Sequence, residues 1–182
     1  MNLSSERMCH AGCPRPAANE GFGSLLQNGF YINYLHGLDY LCSKYVTKNS
    51  KILELGCFYG TSSRLFREYS NFVTCVDLEL YPEMKETIDT HGITFYKLDS
   101  IEFLQSIKKG SFDLIYIDTT HDFGRTKSEI LLAYEKLENN GYLAGHDYNC
   151  AGVHNAILDV FKYPRIEIFL DSSWVIQKNE QL

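Results

Sequence analysis

The sequence predicts an α/β fold, a mostly parallel sheet with helices on both faces and an antiparallel strand pair at its C-terminal edge. Three observations predict it. Short apolar runs alternate with segments of helical periodicity along nearly the whole chain. The stretch Lys51 to Ser63, KILELGCFYGTSS, reads as strand, glycine turn and helix. Successive apolar runs end in acids at Asp77, Asp99, Asp118 and Asp147, which places those acids along one edge of a parallel sheet.

Each element has its own justification. Residues 1–20, with Pro14, Pro16 and many small residues, show no periodicity and are read as an irregular arm. From Phe22 to Tyr45, the residues Tyr31, Tyr34, Leu35, Leu38, Leu41, Cys42 and Tyr45 recur at three and four, so one helix with a buried face is expected to cover the sheet or the mouth of a site. Ile52, Leu53 and Leu55 form the first strand, and Thr61-Ser62-Ser63 are expected to cap a helix carrying Leu65, Phe66 and Tyr69. Phe72–Asp77 is a buried strand. Tyr81–His91 is a helix with Pro82 in its first turn, where a missing N–H costs nothing. Ile93–Leu98 is a third strand and Asp99–Lys108 a helix capped by Asp99 or Ser100. Phe112–Asp118 is a strongly apolar strand, and a helix from Gly124 to Leu137 packs Ile130, Leu131 and Tyr134. Asn140-Gly141 is expected to turn the chain into a strand over Tyr142–Gly145. A helix near Val153–Phe161 and the pair Ile166–Leu170 and Trp174–Gln177 complete the chain, which is read as a single domain over 1–182.

Length and composition narrow the function classes. The chain has 182 residues and a formal charge of −6, which speaks against a general nucleic-acid or anionic-membrane binder. Its start has no apolar core of a signal peptide and no run reaches membrane-span length, so a cytoplasmic protein is expected. Six cysteines at scattered spacings, Cys42, Cys57, Cys75 and Cys150 among them, are expected to be reduced thiols. Cys9, His10 and Cys13 cluster, but no second Cys/His pair lies near enough to complete a structural zinc site.

The glycine turn carries the chemistry. A dinucleotide-binding turn would read G-x-G-x-x-G, whereas Glu54-x-Gly56-x-x-x-Gly60-x-Ser62 puts an acid at the strand end, where it repels phosphate and suits an ammonium group. This E-x-G-x-x-x-G-x-S pattern resembles the first motif of class I S-adenosylmethionine-dependent methyltransferases, in the form found in macrocin-type and catechol-type small-molecule O-methyltransferases. The resemblance implies a Rossmann-like seven-stranded sheet and S-adenosyl-L-methionine as cofactor. It further implies Glu54, Gly56, Gly60 and Ser62 around the amino-acid end of the cofactor, Asp77 on the ribose diol, and Asp99 with Ser100 at the adenine. Glu79 is the alternative to Asp77, and Asp99-Ser100 also reads as an ordinary N-cap.

Asp118-Thr119-Thr120-His121 and His146-Asp147 follow one helix and one strand apart. Metal-dependent relatives hold magnesium with an acid after the fourth strand and an acid pair after the fifth, so the resemblance implies a divalent metal, Mg or Mn, at Asp118, His146 and Asp147. Histidine in place of the first acid of that pair favours manganese, iron or zinc over magnesium. Asp118 and His121 are the expected catalytic residues. His121 stands where macrocin-type relatives often place a histidine and where catechol-type relatives place a lysine base. The expected partner is a small hydroxylated molecule such as a sugar or phenol, with a homo-oligomer as a further expectation. Three alternatives stay open: a metal-independent methyltransferase acting on nitrogen or a macromolecule, a non-catalytic cofactor-binding module, and an NAD-dependent oxidoreductase, against which the missing glycine signature counts.

Overall fold

A computed structural model describes residues 35–162 and 164–179. The arm over 1–20, residues 22–34 of the expected covering helix, and Cys9, His10 and Cys13 lie outside the described residues. The elements, in chain order, are α1 (His36–Tyr45), β1 (Lys51–Leu55), α2 (Thr61–Tyr69), β2 (Phe72–Asp77), α3 (Pro82–His91), β3 (Thr94–Lys97), α4 (Ser100–Ser106), β4 (Phe112–Ile117), α5 (Phe123–Lys136), β5 (Leu137–Gly145), α6 (Ala151–Phe161), β6 (Ile166–Ile168) and β7 (Trp174–Gln177).

The seven strands lie in the order β3-β2-β1-β4-β5-β7-β6. Strands β1 to β5 are mutually parallel, and β7 runs antiparallel to both β5 and β6. The chain winds outward from β1 through β2 to β3 and then crosses to β4. Strand order therefore reverses between β1 and β4, the switch point at whose carboxyl ends such sheets bind ligands.

Side chains alternate across the sheet, so each strand supplies two cores. Leu53, Leu55, Ile115, Ile117, Leu143, Trp174 and Ile176 face α4, α5 and α6. Ile52, Cys75, Leu114, Tyr116, Ala144 and Val175 face α1, α2 and α3. Complete burial of a Leu or Ile contributes about 2 kcal/mol. These two apolar layers therefore hold the strand ends still.

Local chemistry differs from the sequence reading at three places. Helix α2 is capped by Gly60 in the left-handed conformation with no side-chain cap, because the hydroxyls of Ser62 and Ser63 are drawn to Glu54 instead. Asn140-Gly141 does not separate helix from strand. Asn140 has φ +63 and sits within β5, which starts at Leu137 and shifts register against β4 between Phe112 and Leu114. The ladder thus absorbs the turn signal as a bulge. Finally, Cys42, Cys57 and Cys75 are free thiols, but Cys150 is disulfide-bonded, which corrects the expectation of a reduced thiol there. Cysteine spacing carries no information about which residues the fold brings together.

Candidate active site

The first half of the site is the turn between β1 and α2. Glu54 is completely buried at the end of β1 and accepts hydrogen bonds from Ser62 Oγ, Ser63 Oγ and, at 3.2 Å, Cys75 Sγ. All three donors are neutral. Burial pushes the Glu54 carboxyl up to about 7; the three hydrogen bonds lower it in part, and the nearby Asp118 charge raises it again.

Both turn glycines answer to the protein's own backbone. Gly56 has φ +81, and a Cβ there would lie 2.1 Å from the carbonyl oxygen of Asp118. Strand β4 therefore exits directly across the turn, and the Asp118 amide bonds Leu55 O at 2.8 Å. Gly60, at φ +80, would place a Cβ 2.7 Å from Met84 Sδ on α3. Both glycines thus have dihedrals that other residues rarely adopt, and strand and helix packing leave no room for a side chain at either.

Asp77, almost fully buried at the end of β2, braces the same turn. Its Oδ2 accepts from Cys57 N at 3.0 Å and Phe58 N at 2.9 Å, and its Oδ1 accepts from Glu79 N at 3.3 Å.

Asp99 caps α4 by accepting from Ile101 N and Glu102 N, and its other oxygen takes Arg125 Nη2 at 2.6 Å. Partial burial raises the Asp99 carboxyl, but Arg125 and the cap amides outweigh it and hold it below its ordinary value. Arg125 also reaches Ser100 Oγ at 2.6 Å and Glu129 Oε1 at 3.0 Å. Glu129 is fully buried and accepts from Thr119 Oγ1 at 2.6 Å, beside Asp118. This network ties the end of β3 to the end of β4, and the sequence reading missed it. The i,i+4 spacing of Arg125 and Glu129 was the available signal.

The second half of the site lies at the ends of β4 and β5. His121 Nε2 stands 3.2 Å from Asp118 Oδ1 and 2.8 Å from Asp147 Oδ2, while His146 Nδ1 stands 3.2 Å from the same Asp147 oxygen. Burial alone would lower His121, but hydrogen bonds and charge from Asp118 and Asp147 outweigh it and push it up to about 11. His146, opposed by burial in the same way, is raised to about 9 by its bond to Asp147 and by the charges of Asp118, Asp147 and Asp171. Asp147 is held far below the ordinary carboxylate range, because the two imidazoles outweigh its burial. Two imidazoles thus face two carboxylates.

Two ligand sets converge here, with donor atoms all within 4.8 Å of one another: Asp118, His146 and Asp147, and His121, Asp147 and Cys150. The second needs a thiolate that a disulfide-bonded Cys150 does not supply. The first is the set expected from sequence, and two carboxylates with one imidazole suit a borderline divalent cation. His36 and His154 belong to neither ligand set; His154 Nδ1 pairs with Asn155 Oδ1.

Among the described residues no helix is long and apolar enough to cross a membrane. A family model described as "Methyltransferase domain" matches residues 53–148, more than half of the chain and the site residues from Glu54 to Asp147. No curated protein gives a significant match. Among solved structures, SMU.1697c from Streptococcus mutans, solved with SAH, matches at TM-score 0.64 and 13% identity, covering 80% of this chain and 97% of that one. N-methyltransferase NodS from Bradyrhizobium japonicum WM9, also solved with SAH, matches at TM-score 0.62 and 17% identity, with 90% and 94% covered. YcgJ from Bacillus subtilis matches at TM-score 0.52 and 15% identity over 60% of this chain, which spans about half (49%) of that protein. At such identities these structures bear on the fold. Together with the family match across β1 to β5, they make this chain a member of the methyltransferase domain family.

Proposed function

We propose that the protein transfers the methyl group of S-adenosylmethionine to a hydroxyl of a small molecule, with a divalent cation assisting. The observation that carries this reading is the contact between the two halves of the site. The glycine turn at Gly56 lies against the backbone of Asp118, so a donor seated on the turn and an acceptor at Asp118, His121 and Asp147 are neighbours. Two similar folds were solved with SAH, the product of such a donor, and this supports the cofactor assignment.

In this reading Glu54, with only neutral hydrogen-bond donors around it, accepts from the ammonium group of the donor, Asp77 from the ribose, and the end of β3 at Asp99 and Ser100 borders the adenine. The acceptor oxygen attacks the methyl carbon as the carbon–sulfur bond breaks. The hydroxyl proton leaves to a base, and the sulfonium becomes a neutral thioether. The donor is already activated by its charge, so the protein's task is alignment and proton removal. His121, whose Nε2 lies between Asp118 and Asp147, is the base and takes that proton in its neutral form. Asp118, His146 and Asp147 would hold the cation, which when bound lowers the pKa of a hydroxyl beside it.

One observation favours a second reading. The imidazole of His121 already lies between the two carboxylates, and a metal-independent enzyme acting on nitrogen would keep it there. Incubation with labelled S-adenosylmethionine and panels of phenols, sugars and amines, with EDTA or with added Mn2+, tests both. Transfer to hydroxyls that EDTA abolishes and Mn2+ restores is expected. Transfer to amines unaffected by EDTA would overturn the hydroxyl assignment.

A further inference from the structure

Asp147 has the left-handed backbone conformation, φ +56, and its facing partner His121 has φ +59. Asp and His enter that region more readily than most residues, but a residue other than glycine still stays there at a cost that its surroundings must meet. For Asp147 those surroundings lie outside the site, in the turn between β6 and β7 and the first residue of β7. The Trp174 indole donates to the carbonyl of His146 at 3.1 Å, and the Tyr148 amide donates to Ser172 O at 3.0 Å. The residues on either side of Asp147 are thus gripped by one short turn.

The grip is itself built into the fold. Trp174 is completely buried, and its ring lies so close to Gly145, the last residue of β5, that a Cβ there would stand 2.7 Å from the ring and 2.5 Å from Ile117 O. The Ser173 and Tyr116 hydroxyls lie 3.2 Å apart in the buried layer, and Ser172 itself has φ +64. Asp171 then ties the turn to the first described helix, accepting from Leu38 N at 2.8 Å and Ser173 N at 2.9 Å. Gly37 completes that contact, since a Cβ there would fall 2.0 Å from Asp171 Oδ1.

We propose that the β6–β7 turn, through Trp174 and Ser172, is the positioning element that holds Asp147 against His121 and Asp118. The functional importance of that placement rests on the methyl-transfer reading above; the placement itself does not. Trp174 touches no reacting atom. Its indole N–H holds the His146 carbonyl, which orients the Asp147 carboxylate towards Nε2 of His121, 2.8 Å away.

Trp174 is the only tryptophan in the chain, so growth on 3-benzothienylalanine replaces one indole N–H by sulfur at nearly constant volume. Amide hydrogen exchange is followed in the native protein, in the substituted protein and in Trp174→Phe. The expected result is exchange of the Tyr148 amide roughly tenfold faster in the substituted protein, with the β7 amides of Val175 and Ile176 unchanged. Affinity for SAH should stay within twofold, while kcat for methyl transfer falls about tenfold with the KM for S-adenosylmethionine unmoved. Unchanged Tyr148 exchange, or equal acceleration at Tyr148, Val175 and Ile176, would overturn the positioning role. Native protein that binds no SAH would defeat the methyl-transfer reading instead, and the exchange rates would still decide the role of the turn.

Discussion

The buried carboxylate of Glu54 makes a quantitative prediction. Its folded-state pKa is about 7 against an ordinary 4.5, so the folded protein holds this proton more tightly than the unfolded chain. That contribution is fully present below about pH 4.5 and is lost as pH rises through about 7. The gap corresponds to about 3 kcal/mol, at about 1.4 kcal/mol per pKa unit. Glu54→Gln removes the titration while keeping the shape. Urea denaturation of both proteins from pH 4.5 to 8 isolates the effect, because titrating groups that do not interact with Glu54 cancel in the difference. Relative to the Gln variant, the native protein should lose up to about 3 kcal/mol across that range. Calorimetry supplies the functional counterpart. An ammonium group arriving at Glu54 favours its ionised form, so SAH binding near pH 6 should release a proton in native protein and not in Glu54→Gln. Parallel stability profiles and no proton release would refute the reasoning.

Asp118→Ala should abolish methyl transfer while moving the melting temperature little, since the side chain is partly exposed; retained turnover would remove Asp118 from the chemistry. His121 is raised from 6.5 to about 11, so its contribution to stability is full below pH 6.5 and lost as pH rises through about 11. The stability advantage of native protein over His121→Gln should therefore shrink in melts taken between pH 6 and 11. Gly152→Ala lies in the first turn of α6, where alanine is ordinarily better than glycine by about 1 kcal/mol. Its Cβ would fall 2.1 Å from His121 O, so denaturant titration should instead show a loss of about 1–3 kcal/mol. Gly56→Ala meets both φ +81 and the Asp118 carbonyl, and a loss of roughly 3 kcal/mol or failure to accumulate folded protein is expected in the same assay.

Much of this architecture is legible in one dimension because its causes are local. Short apolar runs and helical runs at period 3.6 mark most of the described strands and helices to within a few residues, the start of β5 being the exception, and Pro82 at the start of α3 and Asp99 capping α4 follow from backbone chemistry alone. Acids ending successive strands must share one edge of a parallel sheet, so Glu54, Asp77, Asp99, Asp118 and Asp147 could be assigned to the site edge without coordinates.

What sequence could not reach is where each polar atom finds its partner. Ser62 and Ser63 read as a helix cap, but a carboxylate buried eight and nine residues earlier outcompetes the backbone amides for their hydroxyls. Asp99 and Asp118 lie far apart along the chain, yet Arg125, Glu129 and Thr119 tie them together across two helices. His121 reads as a free base. Only the convergence of two strand ends puts it between two carboxylates that favour its protonated form. Periodicity, capping and strand-end acids belong to neighbours in the chain, so the amino-acid order determines them. Distances between side chains on different strands depend on register and packing, and those were decided by the folded sheet.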